Sequence, residues 1–192
     1  MNNKKIYMIH GWGGSVREGW FPWIKKELEE RGVEVHAFSM PHTDYPVIKE
    51  WVGFLEKNIK DINEETYFIG HSIGAQTILR FLEKLPVNLK IGGCIFIAGW
   101  FNLKEETYED ENDKEIAKPW IETPIDFEKI KKHTKNFVVL FSDNDPCVSL
   151  SDSDLFRNKL GAKIIIEGQR GHFTEKKELT ILRETLKFLK LK

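Results

Sequence analysis

An α/β fold on one parallel sheet of roughly six strands, with helices on both faces, is what this 192-residue sequence predicts. Three observations carry that expectation. Short β-rich apolar runs recur along the chain. Helical patterns lie between them. The runs are near-continuously apolar instead of alternating, as strands are when helices cover both faces of their sheet. Strand and helix in alternation imply right-handed βαβ units, and so a parallel sheet.

Taken in order, the first run is "KIYMIH" (5–10), which ends in a glycine-rich loop. A helical pattern over Trp20 to Arg31 carries Trp23, Ile24 and Leu28 on one side. The second run is "VEVHAF" (33–38), followed by a helical pattern from Val47 to Ile59 with Trp51, Val52, Leu55 and Ile59. The third, "TYFIG" (66–70), leads directly into a pattern from Ile73 to Leu85 with Ile78, Leu79 and Leu82. "GCIFIAG" (93–99), "NFVVLFS" (136–142) and "KIIIE" (163–167) complete the strands, with helices expected over Ser151 to Leu160 and Glu175 to Leu191. One segment breaks the rhythm. Trp100 to Pro124, "WFNLKEETYEDENDKEIAKPWIETP", is long and charged, and connections of that length in compact domains are functional or mobile. Its acidic run, Glu105 to Glu115, lacks the spacing of a calcium loop and reads as a solvated loop or short helix.

The length fits one domain, residues 1–192, able to bury a sizeable core. Net charge is -1, so no basic excess exists to hold a phosphate backbone, and nucleic acid is not expected as a partner. No apolar stretch approaches the roughly 20 residues of a membrane helix, and the N-terminal run is too short for a signal-peptide core. The two cysteines, Cys94 and Cys147, form neither a disulfide framework nor a zinc pattern, which agrees with a cytoplasmic location.

Gly70-His71-Ser72-Ile73-Gly74 matches G-x-S-x-G. Chance yields such a match about once in twenty chains of this length, so placement decides its weight. It follows a strand and opens a helix, where a nucleophile elbow belongs. Glycines two residues either side clear the sharp turn, and the helix start adds free amides and its positive dipole end. A serine that merely caps the helix would read the same at this point.

A serine nucleophile needs a base, and the base needs an orienting group. Chemistry in open α/β sheets sits at the carboxyl ends of the strands, which filters six histidines. His36 lies within a strand, His133 at a helix end, and His71 should point away from its neighbour Ser72. His10 ends the first strand. His42, in "MPHTDYP", is a rival base. His172, in "EGQRGHF" after the last strand, is placed best, and Gly171 lets its loop bend. For the acid, "FSDNDPCVSL" after the fifth strand offers Asp143 and Asp145, the second stiffened by Pro146. Asp152 and Asp154 read as helix-capping acids, with Ser149 and Asp152 spaced as a capping box. Either acid gives the chain order Ser, Asp, His, that of an α/β-hydrolase.

The first strand ends in His10-Gly11-Trp12-Gly13-Gly14. A dinucleotide fingerprint would place its third glycine at 16, where Val16 stands. As an oxyanion loop it can offer the amide of Trp12, or that of Gly13, beside the amide of Ile73.

Together "GWGGS", "GHSIGA", "SDNDPCV" and "RGHF" resemble the small serine hydrolases of the retinoblastoma-binding protein 9-like family. The likeness extends to "GWFPWIKKELEERG", "MPHTDYP" and Pro119-Trp120, and so to nearly the whole chain. It implies a minimal α/β-hydrolase fold without a large lid domain. It also implies a triad of Ser72, Asp145 and His172, oxyanion donors at the Trp12 and Ile73 amides, and activity on small esters, thioesters or amides. No cofactor or metal is called for. The family's name refers to a partner bound through Leu-x-Cys-x-Glu; "GGCIF" and "DPCVS" lack it, so that interaction is not carried over. Trp12, Trp100, Phe101, Trp120 and Phe173 are expected to line an apolar pocket, unless Trp120 and Phe173 pack the charged excursion onto the body. The competing expectations are a non-catalytic binding protein on this fold, or an acyltransferase or lyase using the same triad, since fold does not fix function.

Overall fold

The apolar runs become strands because alternate residues of each face two different helical layers. The computed structural model describes residues 3–191. Among the described residues, β1 (Lys5–Ile9), β2 (Glu34–Phe38), β3 (Thr66–His71), β4 (Gly93–Ile97), β5 (Phe137–Ser142) and β6 (Lys163–Glu167) form one sheet in the order β2-β1-β3-β4-β5-β6. Every pairing is parallel. Seven helices surround it: α1 (Phe21–Glu29), α2 (Ile48–Asn58), α3 (Ile73–Lys84), α4 (Glu111–Glu122), α5 (Phe127–Ile130), α6 (Asp152–Leu160) and α7 (Leu179–Leu189). Among the described residues there is no large lid domain.

Tyr7, Ile9, Phe68, Phe96 and Val139 pack with residues of α2, α3 and α6 in one core cluster. Ile6, Met8, Ile69, Ile95 and Leu140 pack with α1 and α7 in the other. Each fully buried Leu, Ile or Phe contributes roughly 1.5–3 kcal/mol relative to exposure. All six residues of β5 are buried, whereas the edge strand β6 is half-exposed. Among the described residues, no helix is long and apolar enough to cross a membrane.

In the Trp100–Pro124 segment the helical alternative holds, and one helix boundary elsewhere shifts. The segment holds a 3-10 turn at Glu105–Thr107 and the 12-residue α4, capped by Asp110, whose Oδ1 accepts the Asp113 N–H at 3.1 Å. The last helix begins at Leu179, four residues later than the pattern suggests, because Glu178 is non-helical (φ -98, ψ 85) and fully buried.

The chain passes from β1 outward to β2 and returns to β3 on the other side of β1. The crevice at the carboxyl ends of β1 and β3 is therefore the topological switch point, the place where α/β sheets bind ligands.

Candidate active site

Ser72 sits between β3 and α3 with φ 52 and ψ -123, a region that L-residues rarely occupy. Its backbone N–H donates to Ile97 O at 2.9 Å, tying the turn to β4. The turn is possible because position 74 has no side chain: a Cβ there would stand 2.4 Å from Ile9 O. Ser72 is 7% exposed, and its Oγ accepts the indole N–H of Trp100 at 3.2 Å.

The β1 loop closes over Ser72 from the other side. A Cβ on Gly11 would approach Ser72 Cβ to 3.2 Å and the His71 ring to 3.1 Å. His10 shapes this loop. Its Nε2 accepts Met40 N–H at 3.0 Å, which leaves Nδ1–H to donate to Gly11 O at 2.8 Å. Burial lowers the His10 pKa, in keeping with that neutral tautomer. Gly13 N–H donates to Thr43 O at 2.8 Å, so that amide is engaged. Trp12 N–H makes no hydrogen bond among the described residues, and Ile73 N–H, at the first helical position, has no intrahelical acceptor.

His172 and Asp145 meet across the ends of β5 and β6. His172 Nδ1–H donates to Asp145 Oδ2 at 2.8 Å, with Oδ1 at 3.1 Å. The Asp145 carboxylate is 2% exposed, and its Oδ1 also accepts the N–H groups of Cys147 (2.8 Å) and Val148 (3.0 Å). Asp143 does another job: its Oδ1 accepts Gln169 N–H at 2.7 Å and bends the His172 loop. Ser142 Oγ accepts Arg170 N–H (2.9 Å), and Asn144 Oδ1 accepts Gly171 N–H (2.8 Å). Arg170 is in turn ion-paired to buried Glu178.

His71 is the residue whose role the sequence hides. It does point away from Ser72, yet its Nε2–H donates to the backbone carbonyl of His172 at 2.8 Å. His71 is half-buried, and desolvation of its ring, with His172 beside it, lowers its pKa to about 3. It is a neutral donor that locates the His172 loop. His42, the rival base, is exposed with φ 46 and does not line the cleft at Ser72. His36 stacks on Tyr7 (centroids 5.1 Å apart), and its Nε2 lies 2.6 Å from Glu34 Oε1, away from Ser72.

Two adjoining cavities share Ser72, Trp12 and His172, one of ≈ 550 Å³ and one of ≈ 240 Å³. No hydrogen bond joins Ser72 Oγ to His172 in this structure; such contacts tighten when substrate binds. The larger cavity is walled by Trp12, Trp100 and Tyr45, and by Asp44, Glu109, Asp110 and Asp113, with no lysine or arginine. Trp12 and Trp100 are thus in the cleft. Phe173 borders the smaller cavity but is fully buried in the core, its carbonyl accepting the Trp20 indole N–H at 2.9 Å. Two of the expected pocket residues do not line the Ser72 cavities, and for Trp120 the packing alternative describes its place. Phe101 packs on Phe156 (centroids 4.4 Å apart), because the Asp152 carboxylate captures the Phe101 and Asn102 amides and turns the chain after Trp100. Trp120, on the far half of α4, donates its indole N–H to Pro46 O at 2.9 Å and faces Trp51. Asp145, Cys147 and His172 bring ligand atoms within 4.8 Å of one another. The Asp145–His172 bond already explains that proximity, and burial raises the Cys147 thiol pKa, which makes it a poor metal ligand.

A family model described as serine hydrolase matches residues 6–190. The chain is 32% identical over 180 residues to the YdeN protein of Bacillus subtilis, named as a hydrolase, covering 93% of this chain and 90% of that one. The crystal structure of YdeN superposes with a TM-score of 0.86 over 97% of this chain and 98% of that one. The serine hydrolase RBBP9 of Rattus norvegicus is 28% identical over 172 residues, covering 88% of this chain and 87% of its own length.

Proposed function

This chain belongs to the serine hydrolase family, and from that premise we propose that it cleaves small ester, thioester or amide bonds through an acyl-enzyme on Ser72. The observation that carries the reading is the meeting, in one cleft, of a serine on a strained elbow with a histidine bonded to a buried carboxylate. His172 Nε2 takes the Ser72 proton as Oγ attacks the carbonyl carbon. The oxyanion is received by the free N–H groups of Trp12 and Ile73, donors worth on the order of 3 kcal/mol each at the transition state. Asp145 holds His172 in the tautomer that leaves Nε2 as the base and stabilises the imidazolium that forms. The proton then passes to the leaving alcohol, thiol or amine, and water repeats the sequence to release the acid.

The acidic wall of the cleft narrows the substrate class. Asp44, Glu109, Asp110 and Asp113 repel an anionic acyl or leaving group, while the indoles accept a neutral apolar one. The test is fluorophosphonate labelling, with a panel of esters, on wild type and Ser72→Ala. Wild type is expected to label and to hydrolyse neutral esters, at least tenfold faster than matched carboxylate-bearing ones. Ser72→Ala loses labelling and at least about a thousandfold in turnover. Labelling that survives Ser72→Ala would reject the nucleophile. A wild type that neither labels nor turns over any ester would favour the non-catalytic reading.

A further inference from the structure

A second cleft, of ≈ 900 Å³, lies away from Ser72 between α2, the second half of α3, α4 and α5. Its volume is within the roughly 300–1,000 Å³ of small-molecule sites. Its walls include Val47, Ile48, Val52, Ile116, Pro119 and Trp120. Val47 and Tyr45 at its mouth are 47% and 61% exposed, and Tyr45 also lines the Ser72 cleft.

At its floor is Arg80, only 3% exposed and bordering the cleft. Its Nη2 carries all of its hydrogen bonds, to Gln76 Oε1 (3.1 Å), Trp120 O (2.9 Å) and Thr123 O (2.9 Å). Nε is fully buried without an acceptor, and so is Nε2 of neighbouring Gln76. Among the described residues Nη1 makes no hydrogen bond and no carboxylate comes within ion-pair distance of Arg80; Glu83 acts on it only from further off, and the guanidinium stands 5.9 Å from the Trp120 ring centroid. A buried guanidinium left in this state is costly, and an anionic acceptor is the group that offsets the cost. Around the rim, Lys49, Lys84 and Lys129 also lack ion pairs among the described residues; of the acids, Glu83 accepts Asp126 N–H and Asp126 accepts Lys129 N–H, both remaining charged. The remaining acids, Glu56 and Glu115, make the cleft hostile to a dianion.

We infer that this cleft binds an amphipathic monocarboxylate, its carboxylate on Arg80 and its chain along Val47, Val52, Ile116 and Trp120. The head group matches Arg80 Nη1, the guanidinium nitrogen without an acceptor among the described residues, and with four cations and four acids lining the cleft one negative charge is tolerated where two are not. The apolar walls take a hydrocarbon chain. The acidic wall of the Ser72 cleft repels the same anion, so the two sites differ in the charge they accept.

The experiment is a titration of Ser72→Ala protein with decanoate, decanol and decyltrimethylammonium below their micelle concentrations, read by calorimetry. Using that variant separates binding from the reaction proposed above, which can fail without affecting this result. Decanoate is expected to bind saturably at one site per chain, at least tenfold tighter than either comparison ligand. Val47→Glu, which places a carboxylate at the exposed mouth, and Arg80→Gln should each weaken decanoate at least tenfold. Arg80 also holds the end of α4, so circular dichroism accompanies that variant, and Val47→Glu decides alone if Arg80→Gln does not fold. No saturable binding, equal binding of the cationic amphiphile, or decanoate binding that Val47→Glu leaves unchanged would each overturn the assignment.

Discussion

Ser72 holds a positive φ that costs on the order of 1–3 kcal/mol, and the elbow is kept there by the 2.9 Å bond from its amide to Ile97 O. Around it, single residues of one type do different work. Asp145 faces His172, whereas Asp143 binds the Gln169 amide. Asp145→Asn should therefore lower kcat by about 10²–10⁴-fold, and Asp143→Asn by no more than about tenfold; steady-state ester hydrolysis distinguishes them. His71 allows a pH prediction. Its pKa is about 3 when folded and about 6.5 when unfolded. Between those values the unfolded chain binds the extra proton, so stability present above pH 6.5 falls as pH falls toward 3, by up to about 1.4 kcal/mol per pH unit. His71→Asn keeps a donor but removes the titration, and its urea midpoint should fall less between pH 7 and 4 than that of wild type. Ser72 and His172 could be placed at the crevice beforehand because each follows its own strand, and topology sends strand ends there; it left Asp143 and Asp145 open, and the family resemblance favoured Asp145. His71 could not, since its partner carbonyl is 101 residues away. The places of Phe101 and Trp120 were open because nearness in sequence does not set side-chain direction: the Asp152 carboxylate and the α4 helix do.

The loops after β5 and β6 behave as one piece, joined through Asp143, Ser142 and Asn144, and the Arg170–Glu178 pair fastens them to the start of α7. The pair is asymmetric. Glu178 is fully buried and the Arg170 side chain is 31% exposed. Arg170→Met strands a buried carboxylate and should cost about 3–5 kcal/mol. Glu178→Gln leaves a cation that water reaches, and should cost about 1–3 kcal/mol. Urea unfolding with unchanged m-values measures both, and equal losses would contradict this account. The strands were legible because burial on both faces writes them as continuous apolar runs. α4 was not, because only Ala117 and Trp120 of its twelve residues are buried and the rest read as solvated charge. α5 is a four-residue helix, too short to leave a period.

Across the molecule, the candidate site falls into two bodies. β1 and β3 carry Trp12, Ser72 and Ile73; β5 and β6 carry Asp145 and His172. The seam between them is the β4–β5 pairing, and the chain crosses it through the exposed Glu109–Asp110 stretch. His71 reaches across it to the His172 carbonyl. This makes the fold a natural complementation pair. A protease site inserted between Glu109 and Asp110 would cut the fragment that carries Ser72 from the one that carries His172 without breaking a strand. The nicked halves should co-elute and still react with a fluorophosphonate. Urea that parts them should silence Ser72, although no bond to Ser72 has been touched, because a nucleophile alone on its fragment is only a serine in a turn.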